Sequence, residues 1–163
     1  MSDRASPLGA DFKPGQYGNV ASGIGARLSE PQYGYIGEMT AFAGSESAIL
    51  KLAGTAAGRH GAISFPIASN RMDEPLKAKV KPADGSLIEL SHGRTCLRIS
   101  GPKVEWVLSK LYAIDFNEAA FPAGSGLSTT HHSIFTQIYR HDAETFDLFV
   151  FRSLARSFWH TLQ

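Results

Sequence analysis

Residues 146–162 read FDLFVFRSLARSFWHTL and indicate a covered strand followed directly by an amphipathic helix. The FDLFVF segment is apolar on both faces after Asp147, whereas a strand wetted on one side would alternate apolar and polar residues. We therefore predict a central strand with both faces covered. The helix is predicted to begin at Arg152 or Ser153 and to run to the last residues. Its apolar positions are Leu154, Phe158, Trp159 and Leu162.

The sequence before this stretch predicts further short strands and one more helix. Residues 87–90 and 95–99 are apolar runs separated by a turn-forming interval, which suits a hairpin or a corner between two strands. Pro102 stands where a first helical residue would, because its missing N–H is not needed there. The apolar stripe of that helix is Val104, Val107, Leu108, Leu111 and Tyr112. With strands predicted at 126–132 and 134–139, the order favours an α+β fold, with helices packed on a mainly antiparallel sheet.

The first 35 residues read as an extended, Gly- and Pro-rich arm preceding a single α+β domain at 36–163. The arm contains many aromatic and aliphatic residues, which gain nothing from exposure to water, so it should cover something. Two alternatives remain: the arm packs on its own domain, or it packs on a partner chain. In the second case the candidate interface residues are Phe12, Tyr17, Tyr33 and Tyr35.

The middle of the chain is ambiguous. Residues 45–54 fit a short helix or a short strand equally well, since Ser45 with Glu46 resembles a helix start and the following apolar run resembles a strand. Residues 65–85 contain three prolines and predict loops around a short strand.

Composition excludes several classes of protein. A chain of 163 residues with 43% hydrophobic and 19% charged residues is expected to fold as one domain. Sixteen basic and fifteen acidic residues give a net charge of +1, so we predict neither a nucleic-acid nor a membrane partner. The start of the chain lacks the order of a secretory signal. Cys96 is the single cysteine, which excludes an intrachain disulfide and fits a reducing cytoplasm best.

No residue of this chain is predicted to be catalytic, to bind a cofactor or to bind a metal. His131 and His132 are adjacent, so on a strand they would point to opposite faces and could not share a metal. Cys96 lies in a predicted strand, where burial raises the pKa of a thiol and makes it a poor nucleophile. The spans GIGARL and AGSGLS lack the strand, helix and glycine register of a phosphate loop.

Two arginines in the last helix indicate an acidic partner. Arg152 and Arg156 are four residues apart near a helix start, where like charges repel and the helix dipole disfavours cations. The compensating carboxylate is either internal, with Asp147 or Glu118 as candidates, or belongs to another subunit. Both arginines are therefore candidate subunit-interface residues.

Several motifs follow one another between residues 87 and 163. They are Ser100-Gly101-Pro102 at a strand end, Ile114-Asp115-Phe116, Phe121-Pro122-Ala123-Gly124, and Arg152-Ser153-Leu154-Ala155 with Trp159. In this order they resemble the gamma subunit of heterotetrameric sarcosine oxidase.

The resemblance implies a reduced version of the fold of the folate-binding aminomethyltransferase of the glycine cleavage system. It implies an accessory, non-catalytic chain in a complex with alpha, beta and delta subunits, of which alpha is the expected main contact. Those subunits would hold FAD, FMN and NAD, with tetrahydrofolate and zinc as further candidates, and would oxidatively demethylate sarcosine or another N-methyl amino acid. The alternatives are a stand-alone folate-binding aminomethyltransferase-like protein and a small interaction module.

Overall fold

The computed structural model describes residues 5–11, 15–17, 25–53, 64–69 and 78–163. Its strands are β1 (Gly15–Tyr17), β2 (Ala26–Ser29), β3 (Tyr35–Ala41), β4 (Ser64–Ser69), β5 (Gly85–Glu89), β6 (Arg94–Ser100), β7 (Gly126–His131), β8 (Ile134–Asp142) and β9 (Thr145–Phe151). Its α-helices are α1 (Glu46–Ala53), α2 (Val104–Leu111) and α3 (Ala155–Leu162), and a 3-10 turn at Arg152–Leu154 leads into α3. None of the helices described is both long and apolar enough to cross a membrane.

A six-stranded sheet forms the centre of the molecule, in the order β1-β2-β6-β9-β8-β7. Each neighbouring pair is antiparallel, which confirms the predicted α+β fold with a mainly antiparallel sheet. The strand β9 lies between β6 and β8, and residues 146–150 are buried. The prediction of a central, covered strand is therefore confirmed, and it holds because both faces of β9 meet other layers.

The helices α2 and α3 cover one face of this sheet and form the main core. Val104 and Leu108 of α2 face the sheet, as the predicted apolar stripe requires. Phe158 and Trp159 of α3 are fully buried in the same cluster. Each such side chain removed from water contributes about 1.5–3 kcal/mol to folding, so this layer carries most of the hydrophobic stabilisation.

A second, three-stranded sheet covers part of the opposite face, in the order β4-β3-β5. Ile36 of β3 packs with Cys96 and Phe149 of the large sheet, and Gln137 Nε2 donates to Glu38 Oε2 at 3.1 Å. On its outer side the small sheet packs on α1 through a cluster of Met39, Ala41 and Ile49.

The structure resolves the elements that the sequence left open. Residues 46–53 form the helix α1 and not a strand. The strands β5 and β6 belong to different sheets, so the turn between them is a corner and not a hairpin. The helix α2 begins at Val104, two residues after the predicted Pro102, which lies in the preceding turn. The strand β4 contains Pro66 and lies at a sheet edge, where a missing N–H is tolerated.

Much of the predicted arm packs on the domain. Leu8 is 2% exposed in the main core, and β2 pairs with β6 as part of the large sheet. The buried carboxylate of Glu30 accepts hydrogen bonds from the hydroxyls of Ser6 and Thr95, which fastens this segment to β6. Leu8 and β2 of this segment thus pack on the domain, whereas the predicted division at residue 36 stays a prediction.

Candidate functional site

A buried carboxylate on the central strand β9 binds three side chains. Asp147 is 1% exposed and lies opposite Arg98 of β6. Its Oδ1 accepts from Arg98 Nε at 2.7 Å, and its Oδ2 accepts from Arg98 Nη2 at 2.9 Å. Tyr33 Oη donates to Oδ2 at 2.7 Å, and His141 Nε2 lies 2.8 Å from the same oxygen. Protein groups thus replace the water that would otherwise solvate this charge.

These partners control the protonation of the cluster. Burial alone would raise the pKa of Asp147, but hydrogen bonds from His141, Arg98 and Tyr33 outweigh burial and lower that pKa to about 2. Burial, followed by the neighbouring Asp147 charge, raises the pKa of the Tyr33 phenol. At neutral pH the cluster is therefore a carboxylate–guanidinium pair with a protonated phenol. A carboxylate stabilised in this way is a weak base, so its chemistry suits fixing β6, β9 and the segment before β3 in place.

The single cysteine lies on the same face of the large sheet. Cys96 is fully buried and packs with Ile36 and Phe149. Burial, followed by the nearby Asp147 charge, raises the pKa of the Cys96 thiol well above its ordinary value. The thiol is therefore protonated and inaccessible at neutral pH, which confirms the prediction that it is a poor nucleophile.

A second cluster is built around the guanidinium of Arg140, which is 1% exposed on β8. Its Nη1 donates to the carbonyl oxygens of Phe116 and Phe121 at 2.6 and 3.0 Å. Its Nη2 lies 2.7 Å from Glu105 Oε1 and 2.6 Å from Glu118 Oε2. One side chain thus joins α2, the loop after it and β8. Sequence reasoning missed Arg140, because only the folded chain brings these carbonyl groups and carboxylates to it.

Two glycines explain why the Ser-Gly-Pro and Phe-Pro-Ala-Gly motifs lie at corners of the fold. Gly101 has φ +129°, and a Cβ there would lie 3.0 Å from the carbonyl oxygen of Gly25. Gly124 has φ +84°, and its N–H donates to the Arg140 carbonyl at 2.8 Å. Both positions favour glycine because L side chains rarely adopt these values of φ. The Ser-Gly-Pro and Phe-Pro-Ala-Gly motifs therefore encode backbone geometry.

A third cluster lies where β6 begins and β9 ends. The Arg94 side chain is 7% exposed, and its Cζ lies 3.7 Å from the centre of the Phe151 ring and 5.0 Å from that of Phe135. Phe151 is 42% exposed. Burial lowers the pKa of Arg94, and attraction to Glu38 opposes that change. This part of the surface therefore combines aromatic area with a desolvated cation.

The predicted interface residues lie in different settings. Tyr33 bonds to Asp147 and stacks on Phe149, and Tyr35 is 6% exposed, so both pack on this domain. Arg156 is exposed on α3. Phe12 lies outside the described residues, and Tyr17 lies in β1, where only the backbone is described. Contact of any of these residues with a partner stays a prediction.

The two carboxylates proposed as internal partners of the last helix bind other cations. Asp147 pairs with Arg98, and Glu118 pairs with Arg140. Arg152 instead donates from Nη2 to the carbonyl oxygen of Ala5, which fastens the start of the chain to the last helix. The expectation of Asp147 or Glu118 as the compensating acid is therefore wrong for Arg152.

The imidazole rings of His131 and His132 contact each other. The strand β7 ends at His131, and His132 stands in the turn with φ 51°. The rings are consequently 4.4 Å apart, and the expectation of opposite faces was wrong because the second residue is not in the strand. His131 Nδ1 lies 2.8 Å from the Leu111 carbonyl oxygen. Within the described ranges, no group of three His, Cys, Asp or Glu residues could hold a metal ion.

Comparisons with known proteins give the same picture of the fold. Eleven chains of solved structures match. One is from the heterotetrameric sarcosine oxidase from Corynebacterium sp. U-96 in complex with pyrrole 2-carboxylate, with a TM-score of 0.68 and 19% identity over 84% of this chain and 81% of that one. No curated protein matches. The model of the sarcosine oxidase, gamma subunit family matches residues 70–163, more than half of the sequence and including all the motifs around Arg140 and Gly101. The chain belongs to the sarcosine oxidase gamma subunit family.

Proposed function

We propose that this chain is a non-catalytic, structural gamma subunit of a multisubunit, flavin-dependent oxidase of sarcosine or a related N-methyl amino acid. The observation that carries the proposal is the family match over residues 70–163. The geometry supports it, because the buried charges of Asp147 and Arg140 are held by other groups of this chain. Asp147 is neutralised by Arg98, and Arg140 ties together loops and a helix.

The chemistry of the complex would belong to companion alpha, beta and delta subunits, with alpha as the main contact. These subunits would hold FAD, FMN and NAD, and tetrahydrofolate and zinc where present. The reaction converts an N-methyl amino acid, O2 and water into the amino acid, formaldehyde and H2O2. The substrate loses two electrons and O2 accepts them. A reducing cytoplasm is the proposed location, since the single cysteine is a buried thiol.

The test is purification of the affinity-tagged chain from its native source. We expect flavoprotein subunits to co-purify in a fixed ratio, with a flavin absorption spectrum. The assembly should release formaldehyde and H2O2 from sarcosine, whereas the isolated chain should release neither. A tagged chain that purifies as a monodisperse species without flavoprotein would contradict the proposal.

Calorimetry distinguishes the folate-binding alternative. A folate-binding transferase needs a buried carboxylate for the pterin ring, and the buried carboxylates of Glu30 and Asp147 are bound to side chains of this chain. We therefore expect no binding heat when tetrahydrofolate is added to the isolated chain. Saturable heat at a stoichiometry of one would favour the alternative.

A further inference from the structure

Arg94 is a buried guanidinium with incomplete hydrogen bonding. It is the first residue of β6 and is 7% exposed. Its Nε and Nη1 atoms are buried, and neither has a hydrogen-bond partner in the part of the chain that the structure describes. Buried arginines are nearly always paired, because a desolvated cation without a partner is costly. The arrangement therefore lacks an acceptor.

The ring that covers this guanidinium lies at the surface. Phe151 stands directly opposite Arg94 in the register of β6 and β9, and its ring centre is 3.7 Å from Arg94 Cζ. The side chain of Phe151 is 42% exposed. Rotation of one half-exposed ring would therefore open the guanidinium to a molecule docking from outside.

The acid whose charge acts on Arg94 binds another side chain. The charge of Glu38 acts on Arg94, since attraction to it partly offsets the fall in the pKa of Arg94 that burial causes. However, Glu38 Oε2 accepts a hydrogen bond from Gln137. Ile88 faces Glu38 across the β3–β5 pair and is 54% exposed, so a large apolar side chain lies beside this carboxylate.

The backbone closes the end of the sheet beside this guanidinium. The N–H of Arg152 donates to the Gly93 carbonyl at 3.0 Å, whereas the Arg152 guanidinium binds the Ala5 carbonyl oxygen. Arginines and aromatic residues are enriched at the energetically dominant positions of protein interfaces. We name the surface formed by Arg94, Phe151 and Phe135 the Arg94 corner.

We propose that the Arg94 corner receives an aspartate or glutamate side chain of a companion subunit, with apolar neighbours on that subunit covering Phe151. This inference rests on the proposed function as a subunit. The carboxylate supplies the acceptor that Arg94 lacks, and the apolar contacts exclude water from the pair. Charge-assisted hydrogen bonds in such a dry setting are among the strong ones in proteins.

The test compares two arginine variants in the reconstituted complex. Arg94→Met removes the charge but keeps much of the length of the side chain. Arg27→Met makes the same change at an exposed residue of β2 in the same sheet, and is the matched control. Thermal unfolding of each isolated chain and the Kd for the companion subunits are measured side by side.

We expect Arg94→Met to leave the melting temperature within about 3 °C of the wild type, because no acceptor is lost inside this chain. We expect it to raise the Kd by more than about 30-fold, as loss of one partner of a buried interfacial charge pair does. Arg27→Met should change neither quantity. Phe151→Ser, which removes the apolar cover, should also weaken assembly while the chain stays folded.

Three outcomes overturn the proposal in distinguishable ways. If Arg94→Met stays folded and assembles as tightly as the wild type, Arg94 binds no partner, and the proposed subunit function is unaffected. If Arg94→Met unfolds or melts far below the wild type, the guanidinium is satisfied within this chain, by Glu38 for example. If the wild-type chain itself fails to bind flavoprotein subunits, the proposed function fails and this inference fails with it.

Discussion

Replacing Asp147 by asparagine tests whether the buried carboxylate stabilises the fold as a charge. The pKa of Asp147 is lowered from 3.8 to about 2 by its partners. At about 1.4 kcal/mol per pKa unit, the ionised carboxylate contributes about 2 kcal/mol of stability at neutral pH. The variant also leaves Arg98 without its countercharge, although Arg98 is 31% exposed and water offsets part of that loss. We expect Asp147→Asn to lower the free energy of unfolding at pH 7 by about 2–4 kcal/mol.

The sign of the pH dependence follows from the lowered pKa. Because the folded-state pKa lies below the unfolded value, the stabilisation is complete above about pH 5 and is lost as the pH falls through about 2. Roughly half of it, about 1 kcal/mol, should be lost by pH 3. The stability difference between wild type and Asp147→Asn should therefore narrow by that amount between pH 7 and pH 3.

Urea unfolding followed by tryptophan fluorescence at pH 7, 5 and 3 measures this difference. Asp115→Asn is the matched control, because Asp115 is exposed and its Oδ1 accepts only a local backbone hydrogen bond from Asn117 at 2.9 Å. An asparagine can keep that bond, so the control should remain within about 0.5 kcal/mol of the wild type. A constant difference between wild type and Asp147→Asn at all three pH values would refute the reasoning, since the carboxylate would then not titrate with folding.

Three further changes test the packing, the corners and the surface. Trp159→Ala removes a fully buried ring from the main core and should lower the free energy of unfolding by about 3–5 kcal/mol in urea; a loss below about 1 kcal/mol, with failed assembly, would place this ring at an interface. Gly101→Ala should destabilise by about 1–3 kcal/mol, because its φ of +129° and the Gly25 carbonyl at 3.0 Å both oppose a Cβ, whereas Gly93→Ala meets its nearest neighbour at 3.8 Å and should be close to neutral. Arg156→Glu places an acid near the start of α3 and should therefore change the free energy of unfolding by no more than about 0.5 kcal/mol, in the stabilising direction. If this variant binds the companion subunits as tightly as the wild type, Arg156 is not an interface residue.

Local pattern predicted the second half of this chain well. The apolar stripe over α2 and the continuous apolar run of β9 are short-range signals, because spacing within one element decides which faces are covered. The same holds for α3, where Phe158 and Leu162 recur four residues apart. These elements could be assigned before any pairing was known.

The strand and the buried side chain that the sequence did not predict depend on contacts between residues far apart in the chain. The strand β2 has four residues, too few for a periodic signal, and its place in the sheet comes from pairing with β6 about seventy residues later. Arg140 is a charged residue on a strand, and residues of this type are expected to be exposed to solvent. It is buried because the loop after α2 returns and offers two carbonyl groups. No local sequence pattern could predict that this loop folds back onto β8.

Three of the buried charged side chains, those of Arg140, Asp147 and Arg94, differ in how completely other groups of this chain bind them. Arg140 is completed by carbonyls and by Glu105 and Glu118, and Asp147 is completed by Arg98 and Tyr33. Both sets lie within this chain, so both clusters should form in the isolated subunit. The Arg94 guanidinium keeps two buried atoms without an acceptor among the described residues. Since a desolvated guanidinium without an acceptor is costly, this contrast is what supports the proposal that a companion subunit supplies the acceptor for Arg94.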